Sequence, residues 1–143
     1  MESKYQELVD AAFAAQAKAY VPYSKFRVGA AVLDEQGRIF SGCNIENSSY
    51  GASNCAERTA IFKAVSEGAK EIKVLAVITD ANEFARPCGI CRQVISEFAA
   101  SDFKLLACSP NAEYEIQGME DLLPSAFGVD SLRSSTVNHS EEG

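Results

Sequence analysis

Over residues 5–19 apolar side chains recur at helical spacing, with Leu8, Ala11, Ala12, Ala15 and Ala19 on one face, and this predicts a first helix. Val21-Pro22-Tyr23-Ser24 ends it, because proline restrains its own φ and the conformation of the residue before it. The small apolar stretch 28–34, the turn residues Glu35-Gln36-Gly37 and the return over 38–43 predict a β-hairpin. Residues 55–67 carry a second helical pattern that stops at Gly68. Residues 72–79 form a β-branched run that reads as a buried strand. A third helix is expected over 88–99, opened by Pro87, followed by strands over 103–108 and 113–117 and a helical turn over 119–123. Strands alternating with helices in this way predict an α/β fold, with helices packed on a mixed five-stranded sheet. No internal repeat is visible. Residues 1–128 read as one domain, and 129–143, rich in Ser, Asn and Glu, as a disordered polar tail.

Composition narrows the partners more than the fold. The 143 residues, 47% hydrophobic and 23% charged, suit one soluble domain with a sizeable core. A net charge of −7 argues against a nucleic-acid polymer, since tracking phosphates needs clustered Lys and Arg. No apolar run approaches the roughly 20 residues that span a bilayer, so no membrane partner is expected. Met1-Glu2-Ser3-Lys4-Tyr5 lacks the charged-then-apolar layout of a signal peptide. The expected setting is a reducing cytoplasm, where closely spaced cysteines bind metal or do chemistry rather than form disulfides.

The cysteines sort into two groups. Cys43 and Cys108 each end an apolar stretch and read as small buried hydrophobes. Cys55, followed by Ala56 and Glu57, and the pair in Pro87-Cys88-Gly89-Ile90-Cys91 have metal-ligand spacing. A Cys-x-x-Cys pair can chelate one ion from the first turn of a helix. A third thiolate leaves tetrahedral zinc one open position for water. The one histidine, His139, lies in the polar tail, so an all-cysteine ligand set of Cys55, Cys88 and Cys91 is expected. Both clusters fall at predicted helix starts, where free N–H groups and the helix dipole favour thiolates.

Three thiolates outweigh the charge of a divalent ion, so a donor should draw charge from the sulfurs. Arg58 is the natural candidate, and a solvated helix arginine is the plainer alternative. Glu57, two residues after Cys55, is placed to carry protons without being a ligand. Asn54 and Glu57 also have capping-box spacing, which would make Glu57 a helix cap instead. A dithiol redox centre would not need Cys55, and a structural zinc site would ordinarily have a fourth protein ligand.

Cys-x-Glu with Pro-Cys-x-x-Cys is the general signature of zinc deaminases, with Cys in the first ligand place. With Tyr23-Ser24-Lys25-Phe26-Arg27-Val28-Gly29-Ala30-Ala31, Gly42-Cys43-Asn44-Ile45-Glu46-Asn47, Cys55-Ala56-Glu57-Arg58-Thr59-Ala60, Pro87-Cys88-Gly89-Ile90-Cys91-Arg92-Gln93 and Leu122-Leu123-Pro124-Ser125-Ala126-Phe127-Gly128, the chain resembles the small, three-cysteine, homotetrameric cytidine deaminases. The resemblance covers residues 5–128. It implies a three-layer α/β/α fold, bound Zn2+, and hydrolytic deamination of free cytidine and 2′-deoxycytidine, a step of pyrimidine salvage. It implies Glu57 as the catalytic residue, Asn44 and Glu46 on the ribose hydroxyls, Phe26 against the pyrimidine and the Ala56 backbone on the base. It also implies Tyr50 and Phe127 closing a neighbouring subunit's pocket. Two alternate residues at a strand end would point the same way, which suits an amide and a carboxylate to a diol. Rival readings are deamination of another aminopyrimidine nucleoside or nucleoside antibiotic, and a non-catalytic zinc module that would not need Glu57. The polar residues 129–143 extend past the point where the family core normally ends.

Overall fold

The computed structural model of the chain describes residues 2–82, 84–85, 87, 89–111 and 113–122. Helix α1 (Glu2–Gln16) leads into the hairpin β1 (Val28–Asp34) and β2 (Ile39–Cys43). Helix α2 (Ala56–Ser66), strand β3 (Ile72–Thr79), helix α3 (Gly89–Phe98), strands β4 (Ala99–Cys108) and β5 (Tyr114–Gln117) and helix α4 (Met119–Leu122) follow. The sheet order is β2-β1-β3-β4-β5, with β3 and β4 parallel and every other pairing antiparallel.

Period-two alternation along the central strands builds the two faces. Ala30, Val32, Leu75, Val77, Phe103, Leu105 and Ala107 point to one side, where they bury Ala60, Ile61 and Ala64 of α2 and Ile95 of α3. Ala31, Leu33, Val74, Ala76, Ile78 and Leu106 point to the other, against Leu8, Val9 and Ala12 of α1. The result is the α/β/α sandwich, with α1 the one helix on its face among the described residues.

Two glycines set how closely the helices approach. A Cβ on Gly29 would lie 2.0 Å from the Ala12 carbonyl oxygen, and one on Gly42 would lie 2.6 Å from the Ala60 nitrogen. Only a residue without a side chain lets β1 and β2 sit this near α1 and α2.

The structure departs from the expected boundaries and burial at several points. Helix α1 spans 2–16 rather than 5–19, because the chain must turn at once to bring Tyr20 beside residues 44–46: Tyr20 N–H donates to the Asn44 carbonyl at 3.0 Å and Glu46 N–H to the Tyr20 carbonyl at 2.9 Å. Strand β4 begins at Ala99, which pairs with Ile72 across a register shift, so α3 stops one residue short of its expected end. Cys43 is half-buried rather than buried, whereas Cys108 is fully enclosed and burial pushes its thiol up to about 11. Leu123 and the tail 129–143 lie outside the described residues. No helix among the described residues is long and apolar enough to cross a membrane.

Candidate active site

The start of α2 carries most of the chemistry. Cys55 is its N-cap, with extended backbone and no side-chain capping hydrogen bond. Asn54 is therefore not the cap, and Glu57 stands second in the helix rather than third, so the capping-box geometry does not form. Asn54 instead pairs its backbone with Ile45 and donates its amide to Thr59 Oγ1 at 2.9 Å. Ala56 is fully buried and Glu57 is 5% exposed. Burial pushes the Glu57 carboxyl up to about 7; Cys55 adds to the rise, while its own backbone N–H and Arg58 oppose it.

Arg58 turns back over the helix end. Its Nη2 donates to Cys55 Sγ at 3.4 Å, and its guanidinium also hydrogen-bonds Cys91, in the first turn of α3. The bond to Cys55, followed by the charges of both sulfurs, raises the Arg58 pKa above its usual range. One guanidinium thus connects the two helix starts. Its Nε is buried and has no partner among the described residues. Cys88 lies outside the described residues, and among those described no group of three or more His, Cys, Asp or Glu side chains gathers as a ligand set.

A cavity of about 170 Å³ opens on these groups, lined by Phe26, Val28, Asn44, Cys55, Glu57, Val77 and Thr79. The structure thereby brings Phe26, Asn44, Cys55 and Glu57 together from three stretches of sequence. A second cavity, of about 500 Å³, is lined by Tyr23, Ser24, Glu46, Asn47, Ser48 and Ser53. Asn44 and Glu46 thus face different hollows. Strand β2 has ended at Cys43, so the strand alternation expected to aim both side chains alike does not extend to them.

Both side chains are engaged with the loop 23–28. Asn44 Nδ2 donates to the Phe26 carbonyl and its Oδ1 accepts from Val28 N–H, each at 2.9 Å. Glu46 Oε1 accepts the N–H groups of Tyr23 at 3.0 Å and Ser24 at 3.1 Å, and Oε2 accepts the Ser24 hydroxyl. That hydroxyl bond, ahead of the backbone ones, holds the Glu46 carboxyl below the usual range. An amide has two hydrogens and two lone pairs, and a carboxylate about four acceptor sites, so each side chain retains capacity for a ligand hydroxyl.

Tyr50 lies in a short 3-10 turn, Tyr50–Ala52, and its side chain is outside the description, as is Phe127. The cavity walls Val28, Val77 and Thr79 were not singled out in the sequence. Thr79 closes β3, and ligands in open α/β sheets gather at the carboxyl ends of strands. That rule could have pointed to it.

Residues 2–107 match the family model described as the cytidine and deoxycytidylate deaminase zinc-binding region. A cytidine deaminase of Sporosarcina psychrophila is 48% identical over 127 residues, 89% of this chain and 93% of its own length. One of Halalkalibacterium halodurans is 44% identical over 127 residues, 89% of this chain and 96% of its own. The crystal structure of cytidine deaminase from Burkholderia pseudomallei superposes with a TM-score of 0.81 at 42% identity, covering 86% of this chain and 98% of that one.

Proposed function

The chain belongs to the cytidine and deoxycytidylate deaminase family, and from that membership we propose that it is a zinc-dependent enzyme that hydrolytically deaminates cytidine and 2′-deoxycytidine to uridine and 2′-deoxyuridine with release of ammonia. The observation that carries the reading is Glu57, buried beside Cys55 in the wall of a small cavity, with Arg58 reaching the thiols of Cys55 and Cys91. The residues suit the metal: two sulfurs at two helix starts share one guanidinium whose buried Nε has no partner among the described residues. Cys55, Cys88 and Cys91 would hold the zinc. When bound, zinc supplies a Lewis acid that makes water nucleophilic at neutral pH.

The chain's own groups do the rest. Glu57 takes the proton of the water that adds to the pyrimidine C4 and delivers protons to the ring nitrogen and the departing amine. Its burial keeps solvent from competing for those protons. Phe26 packs on the pyrimidine and the Ala56 backbone meets the base. Asn44 and Glu46 offer their remaining hydrogen-bonding capacity to the ribose hydroxyls. Among the described residues lining the cavity that holds Glu46 there is no Lys or Arg, so a 5′-phosphate there would meet a carboxylate, which favours nucleoside over nucleotide.

Residues 1–128 form the catalytic domain in this reading, with 129–143 a tail outside it. The active form is a homotetramer in which Tyr50 and Phe127 of a neighbouring subunit close each pocket, working in the cytoplasm in pyrimidine salvage. Ammonia release from cytidine by the zinc-loaded protein, with Glu57→Gln as control, tests the activity. A wild-type chain that releases none, or a control that keeps pace with it, overturns it.

A further inference from the structure

The loop that supplies Phe26 and Val28 to the cavity is held largely by side chains, three of them from elsewhere in the chain. Phe26 N–H donates to Ser24 Oγ at 3.0 Å, and Asn44 takes the Phe26 carbonyl and the Val28 N–H. Between them, the Arg27 N–H donates to Asp80 Oδ2 at 2.8 Å, and the Arg27 carbonyl accepts from Gln16 Nε2 at 3.2 Å. Asp80 also takes Arg27 Nε at 3.2 Å and Nη2 at 3.0 Å, and Gln16 Nε2 reaches its Oδ1 at 3.4 Å. The loop is under strain as well, since Lys25, directly before Phe26, has φ +61°, in the left-handed region. A strained segment keeps its shape only where its surroundings impose it.

We infer that Asp80 is a positioning residue for the substrate pocket, gripping the Arg27 backbone and guanidinium together so that Phe26 and Val28 stand against the bound pyrimidine. Asp80 is well placed to do so. It directly follows Thr79, which lines the same cavity, so one end of β3 fixes two walls at once. Gln16 completes the grip from α1, at the contact that Gly29 permits. The inference rests on the proposed deaminase reading, because it assigns Phe26 and Val28 to the base.

The test is Asp80→Ala, Asp80→Asn, Arg27→Ala and Gln16→Ala in the zinc-loaded protein, with cytidine kinetics and amide hydrogen exchange at residues 26–28. Arg27→Ala leaves the backbone N–H bond to Asp80 intact, whereas Asp80→Ala removes it together with both guanidinium bonds. Asp80→Ala should therefore raise KM about tenfold and speed exchange at 26–28 by a similar factor, the loss of charge-assisted bonds. The kcat should fall by less than about threefold, since a wall that binds ground and transition states alike moves KM. Arg27→Ala should do markedly less, with Asp80→Asn in between and Gln16→Ala mild. Equal effects of Asp80→Ala and Arg27→Ala would overturn the inference, leaving only a surface ion pair. Unchanged exchange, or faster exchange at constant KM, would overturn it too. Absence of ammonia from the wild type refutes the deaminase reading instead, and exchange at 26–28 still decides whether Asp80 holds the loop.

Discussion

Gly29→Ala adds one methyl group at the closest contact between α1 and the sheet. The new carbon would stand 2.0 Å from the Ala12 oxygen, 2.6 Å from the Gln16 nitrogen and 2.9 Å from the Gln16 Cα. All three are backbone atoms, so no rotamer change can relieve the overlap. Ordinary contact needs about 3.5 Å, so α1 would have to retreat by about 1.5 Å, loosening Leu8, Val9 and Ala12 from their packing. Overpacking typically costs about 1–3 kcal/mol, and the rigid contacts place this case near 3. For a chain of this size that corresponds to a fall in Tm of roughly 6–12 °C. Gly51→Ala is the control, because a Cβ there meets no described atom within 4 Å, and its effect should stay within about 0.5 kcal/mol. Calorimetry at one fixed protein concentration measures both. A Gly29→Ala Tm within about 2 °C of wild type would refute the claim that this contact fixes α1. The retreat would also draw Gln16 from the Arg27 carbonyl, so KM for cytidine should rise.

Glu57→Gln keeps the shape of the side chain but removes the proton carrier, so turnover should fall about 10²–10⁴-fold with zinc content and fold retained; activity within tenfold of wild type would make Glu57 a structural residue. Metal analysis should find one zinc per chain and X-ray absorption three sulfur ligands, and a fourth sulfur would exclude an open site. Arg58→Ala leaves the thiolate charge unbalanced, so its pH–rate profile should move to higher pH, with Arg58→Gln milder because it keeps donor hydrogens; an unchanged profile contradicts the charge-balance role. Mixing Phe127→Ala with Glu57→Gln chains should restore activity above the average of the two parents if pockets are shared between subunits, and simple averaging would place Phe127 in its own subunit.

The sequence was most legible where one physical rule dominated. Residues 72–79 had to be a buried strand, and Glu35-Gln36-Gly37 had to turn, with Gly37 at φ +81°. It was less legible where a distant partner set the boundary. The first helix stops at Gln16 because Tyr20 must pair with residues 44–46, which no local pattern announces. The same limit applies within the site. Cys55, Glu57 and Arg58 could be read because they are neighbours with chemical spacing. Asn44 and Glu46 looked like alternate positions on a strand, but the strand had ended, and their side chains reach across to the loop 23–28. Thr79 and Asp80 carried no motif. Their relation to the cavity exists only after β3 has been placed beside β1.

The start of α2 is where local stability rules are broken most densely, and each breach has a chemical counterpart. An N-cap ordinarily supplies a side-chain oxygen to the first free N–H groups, worth about 1 kcal/mol. Cys55 makes no such bond and leaves those N–H groups and the positive end of the helix dipole facing a sulfur, which favours thiolate. Glu57 is buried where a surface carboxylate would be stabler, and that burial brings its proton affinity near neutrality, suited to both taking and giving a proton. Arg58 is folded back with a buried Nε unpartnered among the described residues rather than extended into water, and so sets a fixed positive charge between two thiols. A helix shaped by stability alone would have Ser or Asp at position 55, solvent around 57 and an extended 58. Three departures within four residues have a common cause in the reaction, since the arrangement that weakens the helix end is the one that holds thiolates and moves protons.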